Sequence, residues 1–192
     1  MDDALLIYLA LGALAAVEAS PAGYFIPGTL VVVAAGGMVQ LGRLDALATL
    51  LVIWLGVFIG DVVTFGLARK FGSTLRNWKR VGGALRRAEG RLNRHPVAFV
   101  LLSHLSPFLK NLPAPAAGLA GMIWRRYLPL EAAAALVDAL WFTAVGFFLT
   151  ATFGNLTDAP VILRVVGTVA SFAAVIFFIG RGRTCVVPRA SP

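Results

Sequence analysis

One cysteine, Cys185, and two histidines, His95 and His104, are all that 192 residues offer as soft ligands or disulfide partners. A lone cysteine excludes an internal disulfide, and two histidines without a cysteine pair show no metal-site spacing. Neither a metal nor another cofactor is therefore expected. Charge is scarce as well: charged residues make up 14% of the chain, and nine acids face 17 lysines and arginines, a net charge of +8. Such an excess of base would suit nucleic acid, but the basic residues are strung between apolar segments with no DNA- or RNA-binding module around them. A membrane surface is the better partner, and no nucleic acid is expected. No serine or cysteine nucleophile stands in a defined motif with His95 or His104, which argues against an enzyme. The Met1-Asp2-Asp3 start lacks the basic stretch that opens a signal peptide, so the first apolar segment is expected to stay in the mature chain.

What the chain has in quantity is apolar surface, 59% of its residues, in runs longer than a soluble core of this size could cover. Residues 45–68, 127–153 and 161–180 each read as a membrane-spanning helix. The first carries Gly56, Gly60 and Asp61, and the second carries Asp138 and Gly146. From Arg69 to Arg94 nine basic residues meet one acid, Glu89, which places that loop in the cytoplasm. Leu75, Trp78, Val81, Leu85 and Leu92 recur through it at roughly helical spacing. It reads equally as a solvated connector or as an interfacial helix on anionic headgroups.

Between these spans lie two proline-broken apolar stretches with charges beside them. One runs from Glu18 through Pro21 to Pro27-Gly28, the other from His104 through Pro107 and Lys110 to Pro113. Each proline removes an amide donor and clashes with the preceding turn, so other groups must satisfy the freed carbonyls. Keeping the basic segments on one side of the membrane requires residues 96–122 to enter and leave on the same face, as a re-entrant hairpin. The N-terminal stretch, apolar at 4–17 and again at 29–41, fits a second hairpin. Laid side by side, the halves share Ser-Pro at 20 and 106, proline at 27 and 113, Gly-Met at 37 and 121, arginine at 43 and 126, and Phe-Gly at 71 and 153. The expected fold is an all-α polytopic membrane protein of two re-entrant hairpins plus transmembrane helices, related by an inverted repeat. Interrupted apolar segments at matching places in two halves point to a transporter's binding site.

Five ionisable residues stand out in these segments: Glu18, Asp61, His104, Lys110 and Asp138. A charge at the bilayer centre costs at least about 2.5–3.5 kcal/mol, so it faces a wet cavity or an opposite charge. The simplest arrangement sets Glu18 and Asp61 on one side of a midplane cavity and Lys110 with His104 on the other. Desolvated carboxylates can gain and lose a proton between access states, which makes Glu18 and Asp61 proton-coupling candidates. Lys110, and His104 when protonated, can receive an anionic phosphate. Asp138, beside Trp141 and without an assigned partner, reads as structural.

The order and spacing of these residues resemble a known family. Glu18, Pro21, Pro27-Gly28, Ala-Ala-Gly-Gly at 34–37, Gly60-Asp61 and Phe65-Gly66-Leu-Ala-Arg69-Lys-Phe-Gly72 are similar to the N-terminal signature of the DedA family, also called the VTT or SNARE-associated domain family. His104-Leu-Ser-Pro107-Phe-Leu-Lys110, followed by Ala-Gly121-Met122, resembles its Arg-Phe-x-Pro-x-x-Arg segment and the Ala-Gly-x-x-x-Met beyond it. The likeness runs from about Glu18 to Gly154. It implies one DedA-like membrane domain over residues 1–192: a first half over about 1–72, a basic loop over 73–95, a second half over about 96–154 and the helix at 161–180. It further implies a multi-pass protein of the bacterial inner membrane that moves a phosphate-bearing lipid, undecaprenyl phosphate or a phospholipid, between leaflets, with protons as coupling ions. By position Glu18 and Asp61 match the family's essential acids. His104 and Lys110 stand where it usually has arginines, and Arg69 joins them as a headgroup-binding candidate. Lysine is a point charge and histidine can be neutral, so a phosphate would be gripped differently than by arginine's planar fork. Pro21, Pro27, Gly28, Pro107 and Pro113 are the structural residues of the breaks. An ion or drug exchanger using the same acids, and a non-transporting scaffold, remain alternatives. Homo-oligomerisation is left open.

Overall fold

Residues 3–20, 23, 29–72, 82–107 and 109–153 are described by a computed structural model of the chain, and all of them fall within one compact unit, Met1–Gly154. Pro21, Pro27, Gly28, residues 73–81 and the expected helix at 161–180 lie outside the described residues. The described residues are all-helical, with no strand among them: α1 (Asp3–Ala19), α2 (Thr29–Gln40), α3 (Ala46–Lys70), α4 (Gly82–Arg94), α5 (Pro96–His104), α6 (Pro113–Leu119) and α7 (Trp124–Phe153). Two of them, α3 and α7, are long and apolar enough to cross a membrane, close to the expected 45–68 and 127–153.

Helix boundaries follow the local chemistry. Asp45 caps α3, its side chain accepting from the Ala48 amide at 2.8 Å. Pro96 and Pro113 open α5 and α6, where a missing amide costs nothing. Helices α2 and α6 end alike: Gly42 (φ 69°) and Gly121 (φ 71°) take the left-handed conformation. In both cases the next amide reaches back five residues, Arg43 to the Met38 carbonyl and Met122 to the Ala117 carbonyl. Between α5 and α6, turns running from Ser103 to Leu112 pair amides and carbonyls locally, which meets the need created by Pro107 and Pro113.

The helices pack crosswise. α1 lies on α3 and α5 on α7, each short helix against the long helix that follows it in sequence, while α2 lies on α7 and α6 on α3. Glycines make these approaches close. A Cβ at Gly60 would sit 2.3 Å from the Ala16 carbonyl oxygen, one at Gly118 2.5 Å from that of Phe65, and one at Gly146 1.9 Å from that of Val33. The arrangement is the small-residue packing of membrane helices. Helix α4 does more than connect or lie on a surface: Ala88 and Leu92 are buried with Phe65, Val100, Ala114 and Tyr127, while Arg87, Arg91 and Arg94 stay exposed.

Polarity is inverted relative to a soluble protein. Leu47, Leu51, Leu55, Ile59, Val63 and Leu67 form an exposed apolar stripe along α3, and Leu136, Leu140, Phe147 and Phe148 are exposed on α7. The buried set includes Glu18, Asp61, His104, Lys110, Glu131 and Asp138. Charges inside and leucine outside is the distribution a hydrocarbon solvent selects.

The close α2–α7 approach has a direct test. Gly146→Ala forces the Val33 backbone away and is expected to destabilise the detergent-solubilised protein by about 1–3 kcal/mol, read as a lower thermal midpoint. Gly90→Ala on α4, where a Cβ meets nothing within 4 Å, should leave the midpoint unchanged or slightly raised.

Candidate functional site

On α7 the buried residues recur at three- and four-residue intervals, Tyr127, Glu131, Ala134, Ala135, Asp138, Ala139, Phe142 and Thr143. This stripe puts Glu131 and Asp138, two turns apart, on one inward face. On α3 the matching stripe runs through Thr49, Ile53, Val57, Gly60, Asp61, Thr64 and Phe65. The C-terminus of α1 supplies Glu18, the C-terminus of α5 supplies His104, and the turn after α5 supplies Lys110.

These groups form two centres. In the first, the Lys110 Nζ lies 3.0 Å from Glu18 Oε1 and 3.2 Å from Asp138 Oδ1, and 5.2 Å from the centre of the Phe142 ring. Lys110 is 3% exposed, Glu18 3% and Asp138 0%. Thr29 Oγ1, in the first turn of α2, donates to Glu18 Oε1 at 2.7 Å, so the start of α2 is tied to the end of α1. Glu18 Oε2 and Asp138 Oδ2 have no hydrogen-bond donor. An ammonium with two carboxylates leaves one net negative charge inside the protein.

In the second centre the His104 Nε2 lies 3.1 Å from Glu131 Oε1 and 3.5 Å from Asp61 Oδ2. Its other ring nitrogen, Nδ1, lies 2.9 Å from the Val100 carbonyl oxygen, which can only accept, so Nδ1 carries the hydrogen. That bond fixes the ring and turns Nε2 toward the two carboxylates. Asp61 Oδ1 and both Glu131 oxygens lack a hydrogen-bond donor, and Nε2 makes no aligned hydrogen bond to either acid. One donor atom each from Asp61, His104 and Glu131 lies within 4.8 Å of the others, a set that can hold a metal ion. Tyr127 closes one side. Its ring stacks on Phe65 at 4.0 Å, and its hydroxyl points at the Asp61 carbonyl oxygen, 3.4 Å away.

Measured against the sequence, acids do meet bases, as Glu18 with Lys110 and Asp61 with His104. Both pairs join an N-terminal residue to a C-terminal one. Asp138, for which the sequence offered no partner, is a direct partner of Lys110. Glu131 was missed, although two acids seven residues apart in an apolar helix share a face and give a readable signal. The three potential metal ligands come from α3, α5 and α7, which is why no metal spacing shows in the sequence. Arg69 is not part of either centre: it is exposed at the end of α3, and its Nη1 donates to the Met122 carbonyl oxygen beyond α6. Pro107 lies in the turn between the centres, and Pro113 is buried at the start of α6.

The VTT domain family matches residues 26–148, more than half of the chain, including the Asp61, His104, Lys110, Glu131 and Asp138 positions. The chain belongs to the VTT domain (DedA) family. Among proteins of known name it is similar to the inner membrane protein YohD of Escherichia coli (strain K12), 28% identical over 126 residues. That alignment covers 65% of this chain and 66% of YohD. No solved structure matches it. As a VTT domain protein the chain is a membrane protein of a family linked to membrane transport.

Removing the cation from the first centre should be costly. Lys110→Met leaves Glu18 and Asp138 buried without a counter-charge and is expected to cost about 3–5 kcal/mol of stability. Adding Glu18→Gln and Asp138→Asn should recover most of the loss. Thermal unfolding of wild type, Lys110→Met, the Glu18→Gln/Asp138→Asn variant and the triple variant in one detergent measures the coupling.

Proposed function

We propose that this VTT domain protein moves a phosphate-bearing lipid, undecaprenyl phosphate or a phospholipid, between the leaflets of the bacterial inner membrane. Glu18 and Asp61 exchange protons in this reading, and Lys110 and His104 receive the headgroup. Arg69, exposed at the end of α3, meets the headgroup before it enters. The observation that carries the reading is the buried Lys110 ammonium, paired with two carboxylates that each keep an oxygen without a donor. A headgroup phosphate offers the same ligand chemistry as those carboxylates and can replace them as one or both take up a proton. The acyl chains would stay in lipid throughout.

Several features support the architecture that such movement needs. Helices α2, α5 and α6 have 12, 9 and 7 residues, too short for the roughly 20 that a crossing helix requires. Each follows or precedes a break, which favours re-entrant hairpins over full spans. The paired glycine endings at Gly42 and Gly121 and the crosswise packing of α2 on α7 and α6 on α3 favour an internal repeat, and an inverted one suits alternating access. The printed name of YohD supports the inner membrane as location. The basic stretch around α4 supports a cytoplasmic position for that helix. On this reading the chain is one domain, extended by the expected helix at 161–180.

A second reading, a proton-coupled ion exchanger, draws on the Asp61–His104–Glu131 centre, whose converging donors suit a cation better than a phosphate. Leaflet exchange of labelled undecaprenyl phosphate and phospholipids in proteoliposomes, with and without a proton gradient, separates the two. Wild type should exchange at least one of these lipids, and Lys110→Ala and Asp61→Asn should slow it by about tenfold or more while still reconstituting, equivalent to ~1.4 kcal/mol or more. Wild type that moves no lipid but carries cations would overturn the lipid reading.

A further inference from the structure

The second centre contains more acceptors than its own hydrogens can serve. His104 uses its Nδ1 hydrogen on Val100, and its Nε2 faces Glu131 at 3.1 Å and Asp61 at 3.5 Å without an aligned hydrogen bond to either. Glu131, 0% exposed, turns Oε1 toward Nε2 and has no hydrogen-bond donor on either oxygen, and Asp61 Oδ1 is in the same condition. Three electron-rich atoms converging in a buried space repel one another unless a positive centre lies between them.

We infer that Asp61, His104 and Glu131 form a binding site for a divalent transition-metal cation of the zinc type. The donor set is right: one imidazole nitrogen and two carboxylate oxygens, the ligand types zinc takes at about 2.0–2.2 Å. Tetrahedral ligands at that range lie about 3.3 Å apart, and the two measured edges from Nε2, 3.1 and 3.5 Å, bracket this value. The third edge, between the acids, is within 4.8 Å, and both carboxylates have unengaged oxygens with which to close it. Charge also balances, since two carboxylates with a neutral imidazole are neutralised by one divalent ion, which suits a low-dielectric interior. The Val100 carbonyl on Nδ1 is the outer partner that metal-bound histidines ordinarily have, and it leaves Nε2 as the ligand atom. Three protein ligands leave a fourth position open. The site shares Asp61 and His104 with the proposed lipid pathway, but its three ligands are in place without Lys110, so zinc binding is read with no lipid moved.

The test uses the full chain purified in detergent, stripped with a chelator and then equilibrated with Zn2+ or Co2+. About one equivalent of zinc should be retained per chain, and the Co2+ form should show the intense visible absorption of a tetrahedral site. Glu131→Gln, close in size to the wild-type residue, should weaken zinc binding by at least 10- to 100-fold and abolish the Co2+ absorption. His95→Ala, which removes the one other histidine, should change neither. Wild type that retains no zinc and gives no tetrahedral Co2+ spectrum overturns the site, whatever the variants do. So does a folded Glu131→Gln protein that binds zinc as tightly as wild type. Lipid exchange is measured separately, so a failure of either inference is distinguishable from a failure of the other.

Discussion

One buried ammonium organises the centre of this protein. Lys110 touches Glu18 from the end of α1 and Asp138 from the middle of α7, and Glu18 in turn receives the Thr29 hydroxyl from the start of α2. Four pieces of chain distant in sequence therefore meet at a single group of charges. In an interior whose outer surface is leucine, isoleucine and valine, none of these groups has water to fall back on. Buried ion pairs are a poor means of gaining stability, because desolvation cancels most of their attraction and apolar replacements do as well or better. Their retention in the middle of a fold that otherwise packs on alanine and glycine points to use. On the proposed reading the site releases and retakes charged partners, which is what charges kept there would serve.

The crosswise helix packing explains how such a centre can be built from short helices. Neither pair of short helices, α1 with α2 or α5 with α6, pairs its charges within itself. α1 rests on α3 while α2 crosses to α7, and α5 rests on α7 while α6 crosses to α3. Each pair of short helices therefore reaches both long helices, and Glu18, His104 and Lys110 meet partners from other elements. Asp61 and Asp138 stand at nearly the same depth along α3 and α7, sixteenth and fifteenth from the helix starts. Asp61 lies 3.5 Å from His104 Nε2 at the end of α5, and Asp138 helps hold Lys110 beside Glu18 at the end of α1. The small residues are what permit this: with side chains at Gly60, Gly118 and Gly146, the long helices and hairpins would be held apart and the charges would not meet.

Much of this was legible in the sequence, and the reasons for the rest are specific. Long apolar runs revealed α3 and α7 because span length is set by the bilayer and helical rise, which leave little freedom. Proline spacing revealed that the chain breaks after Glu18 and His104, and charge economy singled out Glu18, Asp61, His104 and Lys110. What pattern reading could not supply was pairing. Asp138 looked unpartnered because its partner is 28 residues away on a turn, and a turn has no periodicity from which to project a direction. Glu131 was lost in the opposite way, inside a helix whose alanines hide the inward stripe. Alanine is compatible with either face, and only the seven-residue interval to Asp138 marks the buried one. The helical loop after Arg69 posed a third difficulty. Its arginines argued for a surface, yet Ala88 and Leu92 carry it into the core beside Tyr127.

The two centres are not independent, and their connectivity says how they can communicate. α7 contributes Glu131 to one and Asp138 to the other, two turns apart on a single rigid face. The second link is the segment that begins with His104 and ends with Lys110, six residues along the chain. Asp61 and Glu18, by contrast, each belong to one centre only and sit on helices that pack on each other. Drawing Lys110 away from Glu18 and Asp138 therefore loads the backbone that positions His104, while leaving α1 and α3 together. A cation held at the second centre does the reverse: it fastens His104 to Asp61 and Glu131 and so restrains Lys110. Any ligand that distinguishes the two placements of this segment couples the centres by the difference in its affinity for them. The physical requirement is that the segment have few apolar contacts to break and two sets of charges to choose between. The second of these is present, with Glu18 and Asp138 around Lys110 and Asp61 and Glu131 around His104.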